Sequence, residues 1–242
     1  MEGRKFAVLL CAEDSDYVMN NYGGYYGVYA RMLKEEGETW DEFKVARGEF
    51  PADDEVAEYD GFVITGSCSD ADSNEIWICK LVVLLRRLDA MKKKILGICF
   101  GHQILVRALG GRIGRSTTGW DIGVTKIHLQ KSQIFTSLKM PPSLSVIECH
   151  RDEVTELPQE AEILGWSNKT RVEMFTYGNH IMGIQGHPEY TKDILLHLIH
   201  RLSNNGLIEV SLAKDAKFKL EAVEPDREAW KKLCNCFLKG GL

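Results

Sequence analysis

Ile95-Leu96-Gly97-Ile98-Cys99-Phe100-Gly101-His102-Gln103 decides the fold: a short apolar strand, Ile95 to Ile98, runs into a glycine-flanked cysteine and on into a helix. The helix spans Gln103 to Leu109 and stops at Gly110-Gly111. A strand that feeds directly into a helix is the joint from which parallel sheets with crossover helices are built. The same alternation repeats upstream. Phe6 to Cys11 reads as a first strand, Tyr25 to Glu36 as a helix ended by Gly37, Trp40 to Val45 as a second strand and Phe62 to Thr65 as a third. Between Glu75 and Met91, Ile76, Cys79, Leu81, Val82, Leu84, Leu85 and Leu88 make one broad apolar helical face. Lys92-Lys93-Lys94 reads as its solvated end, where cations complement the helix dipole.

Downstream the pattern changes. Val124–Leu129, Leu144–Glu148, Ile163–Trp166, Val172–Tyr177 and Ile181–Ile184 are short strand candidates, several of them expected to be antiparallel. Helices follow over Lys192–Leu202 and Asp226–Leu238. No linker composition divides the 242 residues, which predicts a single domain over 1–242. At 44% hydrophobic and 27% charged residues the chain has the composition of a soluble globular protein. A net charge of -5 supplies no basic field for nucleic acid, so none is expected as a partner. The apolar run Phe6–Ala12 is too short for a secretory signal and is followed at once by acidic residues, and no apolar run approaches membrane-spanning length. Seven cysteines scattered through apolar stretches point to reduced thiols and a cytosolic location.

The chemistry centres on Cys99. Glycines on both sides of a residue at a strand-to-helix turn are the arrangement of a nucleophile elbow, with cysteine in place of serine. A tight turn leaves no room for neighbouring side chains, and the helix N-terminus favours thiolate over thiol. The N–H of Phe100 is the expected first oxyanion donor. Gly66, at the end of the strand Phe62–Thr65, is the expected second. In Gly183-Ile184-Gln185-Gly186-His187-Pro188-Glu189, His187 follows a short strand as proton carrier, and Glu189 can orient its ring. A lone buried cysteine is more often structural than catalytic. The conjunction of elbow, Gly-Ser loop and His-x-Glu at a strand end favours the catalytic reading, a thiol nucleophile served by a proton carrier and oxyanion donors.

These motifs resemble the class I, triad-type glutamine amidotransferases: Gly97 to Gln103 is similar to their nucleophile motif, Gly183 to Glu189 to their His-Pro-Glu motif, and Gly66-Ser67 to their oxyanion strand. The resemblance implies a flavodoxin-like three-layer α/β/α sandwich with a mostly parallel central sheet and extra antiparallel strands. Tyr22-Gly23-Gly24-Tyr25, Gly48-Glu49-Phe50-Pro51, Tyr59 to Ile64, Met91 to Leu96, Cys149-His150-Arg151-Asp152-Glu153-Val154 and Phe237-Leu238-Lys239-Gly240 further resemble the plant γ-glutamyl peptidases of this superfamily. That likeness implies cytosolic hydrolysis of the γ-glutamyl bond of glutathione or its S-conjugates, including conjugates on routes to sulfur-containing defence compounds. It implies no cofactor and no metal. It also places Gln103 beside the nucleophile and His150, Arg151 and Asp152 on a loop near the glutamyl amino and carboxylate groups, with Arg151 either on a substrate carboxylate or in solvent.

An amidotransferase passes ammonia to a synthase, whereas this sequence shows neither a long C-terminal extension nor a nucleotide loop, so hydrolysis without a synthase partner is expected. A glutaminase subunit of an amidotransferase and a redox-sensing elbow cysteine are the alternatives. Other features read as structural. Tyr22 to Gly27 lacks the spacing of a phosphate or dinucleotide loop and predicts a turn, which the family resemblance implies lies near the site's edge. His102, the His197/His200 pair and Cys234/Cys236 are expected to pack or hydrogen-bond, not to bind metal or exchange disulfides.

Overall fold

The computed structural model describes residues 3–240. The chain runs β1 (Lys5–Leu9), α1 (Asp16–Tyr22), α2 (Gly24–Leu33), β2 (Thr39–Phe43), β3 (Gly61–Ile64), α3 (Ile76–Ala90), β4 (Lys94–Ile98) and α4 (Phe100–Ala108). It continues with β5 (Arg112–Arg115), β6 (Asp121–Leu129), α5 (Gln133–Ser137), β7 (Ser143–His150), β8 (Asp152–Glu156), β9 (Ala161–Trp166), β10 (Met174–Tyr177) and β11 (Ile181–Ile184). Three helices close it: α6 (Lys192–Asn204), α7 (Val210–Ala222) and α8 (Arg227–Leu238).

Nine strands form one sheet in the order β2-β1-β3-β4-β11-β10-β9-β6-β7. The half from β2 to β11 is parallel, with the strand order of flavodoxin-like folds, and the half from β11 to β7 is antiparallel, as the two characters of the sequence predict. β3, β4 and β11 lie in the sheet's interior, where both faces are covered, so these strands are apolar almost throughout. Alternate side chains feed two cores. Phe6, Val8, Val63, Leu96, Ile98, Met182 and Ile184 pack under α2, α6 and α8. Ala7, Leu9, Phe62, Ile64 and Ile95 pack under α3 and α4, which contribute Ile78, Leu81, Leu85, Leu88, Ile104 and Leu105 at helical spacing.

Three local features differ from expectation. The Lys92-Lys93-Lys94 run is not a solvated helix end: α3 stops at Ala90, and of the three only Lys92, 3.3 Å from Asp89, is exposed. Lys93 Nζ donates to the carbonyls of Ala57 and Tyr59 at 2.8 and 2.7 Å, and Lys94 Nζ donates to the carbonyl of Asn179 at 2.7 Å, tying three connections to the bottom of the sheet. α7 is a helix the sequence pattern hides, because Val210 and Phe218 are 65% and 72% exposed while the buried face is made largely of Ala213, Ala216 and Leu220. His150 and Asp152 do not lie on a loop. His150 ends β7, Asp152 opens β8, and only Arg151 forms the bend between them.

Candidate active site

Cys99 sits between β4 and α4 with φ 53° and ψ −105°, a backbone conformation that a residue with a side chain rarely adopts and that marks stored strain. Its N–H donates to the Ile184 carbonyl at 2.8 Å, which pins the turn to the end of β11. The flanking glycines are required by close approach: a Cβ on Gly97 would lie 2.5 Å from the Gly101 carbonyl oxygen, and one on Gly101 would lie 2.3 Å from that of Ile64. The thiol is 5% exposed and faces a cavity of about 300 Å³. Phe100 opens α4, so its N–H has no acceptor within the helix.

His187 reaches the same cavity from beyond the end of β11. Its N–H donates to the Ile147 carbonyl at 2.7 Å, and its ring stacks on Tyr190 with centroids 4.0 Å apart. Nδ1 lies 2.8 Å from Glu189 Oε1, and the same oxygen accepts the Tyr29 hydroxyl at 3.0 Å. A carboxylate at Nδ1 fixes the proton there and leaves Nε2 for Cys99. Burial opposes a charge on this imidazole, but the negative charge at Cys99 and that at Glu189 outweigh it and raise His187 to about 10. The arrangement can therefore hold an imidazolium at neutral pH beside the Cys99 sulfur, with a proton ready for a leaving group.

Gly66 lies against both side chains. A Cβ there would stand 2.9 Å from His187 Cε1 and 3.7 Å from Cys99 Cβ, and its backbone also faces the Tyr29 phenol. The Thr65 hydroxyl holds this turn by accepting the Cys11 N–H at 2.9 Å and donating to the Gly66 carbonyl at 3.1 Å. Gly66→Ala is expected to displace the imidazole and lower turnover about 10²-fold, the cost of misplacing a reacting group by about 1 Å. Steady-state kinetics beside a thermal melt check this: a normal melt with a normal kcat would show that no close approach matters here.

Gln103, 5% exposed, donates from Nε2 to the Asp152 carbonyl at 2.8 Å and to Gln185 Oε1 at 3.1 Å. Gln185 Nε2 in turn approaches Cys99 Sγ at 3.7 Å. His150 Nδ1 lies 3.0 Å from the same Asp152 carbonyl, so Nδ1 carries the proton, and burial lowers this imidazole to about 4. The Asp152 carboxylate is held by Arg115, which also reaches Asp70 at 3.3 Å. Arg151 is exposed at the rim of the cavity. Gln103, His150, Arg151 and Asp152 thus all line the cavity that contains Cys99 and His187.

Residues 17–197 match the family described as glutamine amidotransferase class-I. Over 243 aligned residues the chain is 49% identical to γ-glutamyl peptidase 5 of Arabidopsis thaliana, spanning 99% of this chain and 97% of that one. The chain belongs to the class-I glutamine amidotransferase family and, within it, to the γ-glutamyl peptidases. γ-Glutamyl peptidase 3 of the same plant is 47% identical over 242 residues, covering 98% and 97% of the two chains. A glutamine amidotransferase from Thermotoga maritima shares the fold, with a TM-score of 0.72 over 99% of each chain at 20% identity. The amidotransferase match runs from α1 into α6 and so includes both the Cys99 elbow and the His187–Glu189 segment, whereas the match to the peptidases continues through α7 and α8.

Several groups of this candidate site in the γ-glutamyl peptidase chain escape sequence reading. Gln185 lies inside the quoted His-Pro-Glu stretch, and its position two residues before His187 was a usable signal. Tyr29 stands 160 residues from Glu189, and nothing local connects them. Arg115 leaves no signal in the sequence either. The bland readings fit the geometry: His102 is fully buried against Phe175, its ring lowered to about 3 by burial. His197 stacks on Tyr17, and His200 Nε2 lies 2.8 Å from Lys217 Nζ, so the pair shares no ligand position. Tyr22 to Gly27 turns from α1 into α2 through Gly23 at φ 77°, and Tyr25 reaches the cavity wall.

Proposed function

We propose that this chain is a cysteine hydrolase that cleaves the γ-glutamyl amide bond of glutathione or its S-conjugates, releasing glutamate and cysteinylglycine or its conjugate. The observation that carries the reading is the convergence of Cys99, His187 and Glu189 on one cavity. In the proposed mechanism the Cys99 thiolate attacks the γ-carbonyl, and the Gly66 and Phe100 N–H groups receive the oxyanion. His187 gives its proton to the departing amine as the C–N bond breaks, leaving a glutamyl thioester. Water then attacks that thioester with His187 as base, and the carbon–sulfur bond breaks to regenerate the thiolate. Gln103, His150, Arg151 and Asp152 are the proposed contacts to the glutamyl group and the peptide.

The cavity wall supports a peptide leaving group over ammonia, because Trp120, Leu198, Leu202 and Leu207 line it together with Arg201, a partner for a terminal carboxylate. The reaction as written needs no synthase partner and no cofactor. No helix among the described residues is long and apolar enough to cross a membrane. The free thiols, of which Cys11, Cys99 and Cys234 are buried, fit a reducing, cytosolic location.

The test is a direct comparison of glutathione with glutamine as substrates of the purified chain. Higher kcat/KM for glutathione, with cysteinylglycine released in step with glutamate, is expected; preference for glutamine would instead favour a glutaminase subunit. The pH dependence of kcat/KM, which reports the free enzyme, gives a second check. Since His187 there keeps its proton until about pH 10, kcat/KM should show no loss of that proton through neutral pH. A fall in kcat/KM centred near 6.5, the ordinary value for histidine, would contradict the ion pair.

A further inference from the structure

Beside the cavity, Glu148 of β7 and Glu173, just before β10, bring two carboxyl groups together at 0% and 1% exposure. Taken as carboxylates, Glu148 has no hydrogen-bond donor at either oxygen and Glu173 has only the Ser167 hydroxyl beside it, while His150 Nε2, 3.4 Å from Glu148 Oε2, has no partner of its own. Oxygen atoms of the two glutamates and a His150 nitrogen lie within 4.8 Å of one another. Glu148 occupies this place because residue 186 is glycine: a Cβ there would stand 2.5 Å from Glu148 Oε1. Two buried anions side by side, facing an imidazole lone pair, are strongly unfavourable without a proton between them. His150 does not supply it, since its one proton sits on Nδ1 toward the Asp152 carbonyl. Lys169 does not either; its Nζ donates to the Trp120 carbonyl and lies 3.8 Å from Asp121.

We propose that Glu148 and Glu173 share a proton in the working enzyme and that this pair positions the glutamyl-binding residues through His150. The connection is continuous. Glu148 abuts His150 Nε2, His150 Nδ1 holds the Asp152 carbonyl, that carbonyl takes Gln103, and Gln103 bonds Gln185, whose Nε2 approaches Cys99. The other groups facing the pair are Asp121 of β6, Glu153 of β8, Cys99 at the start of α4 and Ser167 beside Glu173; the acids and the thiolate all discourage a further negative charge. Burial first, then neighbouring charge, raises Glu148 far above the carboxylate range, and burial raises Glu173 to about 8. Loss of the shared proton restores the repulsion and loosens His150, so the effect falls on substrate binding and not on the chemical step.

This inference rests on the γ-glutamyl reading of the site. Its kinetic test is KM and kcat for glutathione from about pH 6.5 to 9.5 in the native chain and in Glu148→Gln, which is neutral at every pH. In the native chain KM should climb several-fold in the alkaline part of that range while kcat holds. In Glu148→Gln that climb should be absent; Glu173→Gln, expected to behave alike, serves if the first variant does not fold. A native KM independent of pH, or an unchanged climb in either folded variant, overturns the proposal. So does a stoichiometric divalent metal in the purified protein that is lost on Glu148→Gln. A second measurement needs no substrate: the infrared carbonyl band of a buried, protonated carboxylic acid should be present at pH 7 and absent from the double variant Glu148→Gln/Glu173→Gln. A chain that showed this band yet ignored glutathione would refute the proposed substrate and leave the shared proton standing; absence of the band would overturn the pairing whatever the substrate.

Discussion

Cys99→Ala is expected to abolish release of glutamate from γ-glutamyl substrates, a loss of at least about 10⁴-fold, because it removes the thiol that the elbow holds against His187. The substitution removes one sulfur atom and leaves the backbone contacts intact: the N–H to the Ile184 carbonyl, the Gln103 N–H to the Cys99 carbonyl at 3.1 Å, and the glycine packing of the elbow. The fold should therefore persist, and a thermal melt close to that of the native chain would separate lost chemistry from lost structure. Cysteinylglycine appearing at the native rate with the alanine variant would show that the attack on the amide comes from elsewhere.

Glu189→Gln is expected to lower turnover by about 10² to 10⁴-fold, as for orienting carboxylates in other triads. The physical cause is specific to the geometry here. Glu189 Oε1 accepts from both His187 Nδ1 and the Tyr29 hydroxyl, and only a carboxylate oxygen can accept twice while also stabilising an imidazolium. An amide at 189 removes that charge, so the imidazole should lose much of its elevated affinity for a proton. The loss should appear in kcat, and the alkaline fall of kcat/KM should move toward neutral pH. A variant with native kcat and an unshifted pH profile would assign the raised imidazole to Cys99 alone.

The parts of the fold and site that are local in sequence were legible. The β4–Cys99–α4 joint is written in nine consecutive residues, and the His187–Glu189 pair in three, so glycine spacing and residue type suffice to find them. The parallel half of the sheet was legible for the same reason, because its buried strands are continuous apolar runs. What stayed hidden depends on partners far apart in the chain. Tyr29 supports Glu189 from α2, and Lys93 and Lys94 read as a solvated cationic end until carbonyls from other segments are seen to cap them. Glu148 and Glu173 read as ordinary polar strand residues. Only the tertiary structure shows that Gly186 opens the space in which the two acids meet.

The central claim is a covalent γ-glutamyl thioester on Cys99, and intact-mass spectrometry of the protein quenched in acid during turnover of glutathione tests it most directly. The account predicts a species heavier by one glutamyl residue, mapped to Cys99 by peptide analysis, lost in Cys99→Ala and accumulating in a variant slow to deacylate. Turnover without any such adduct, or a glutamyl group mapped to a different residue, would contradict it.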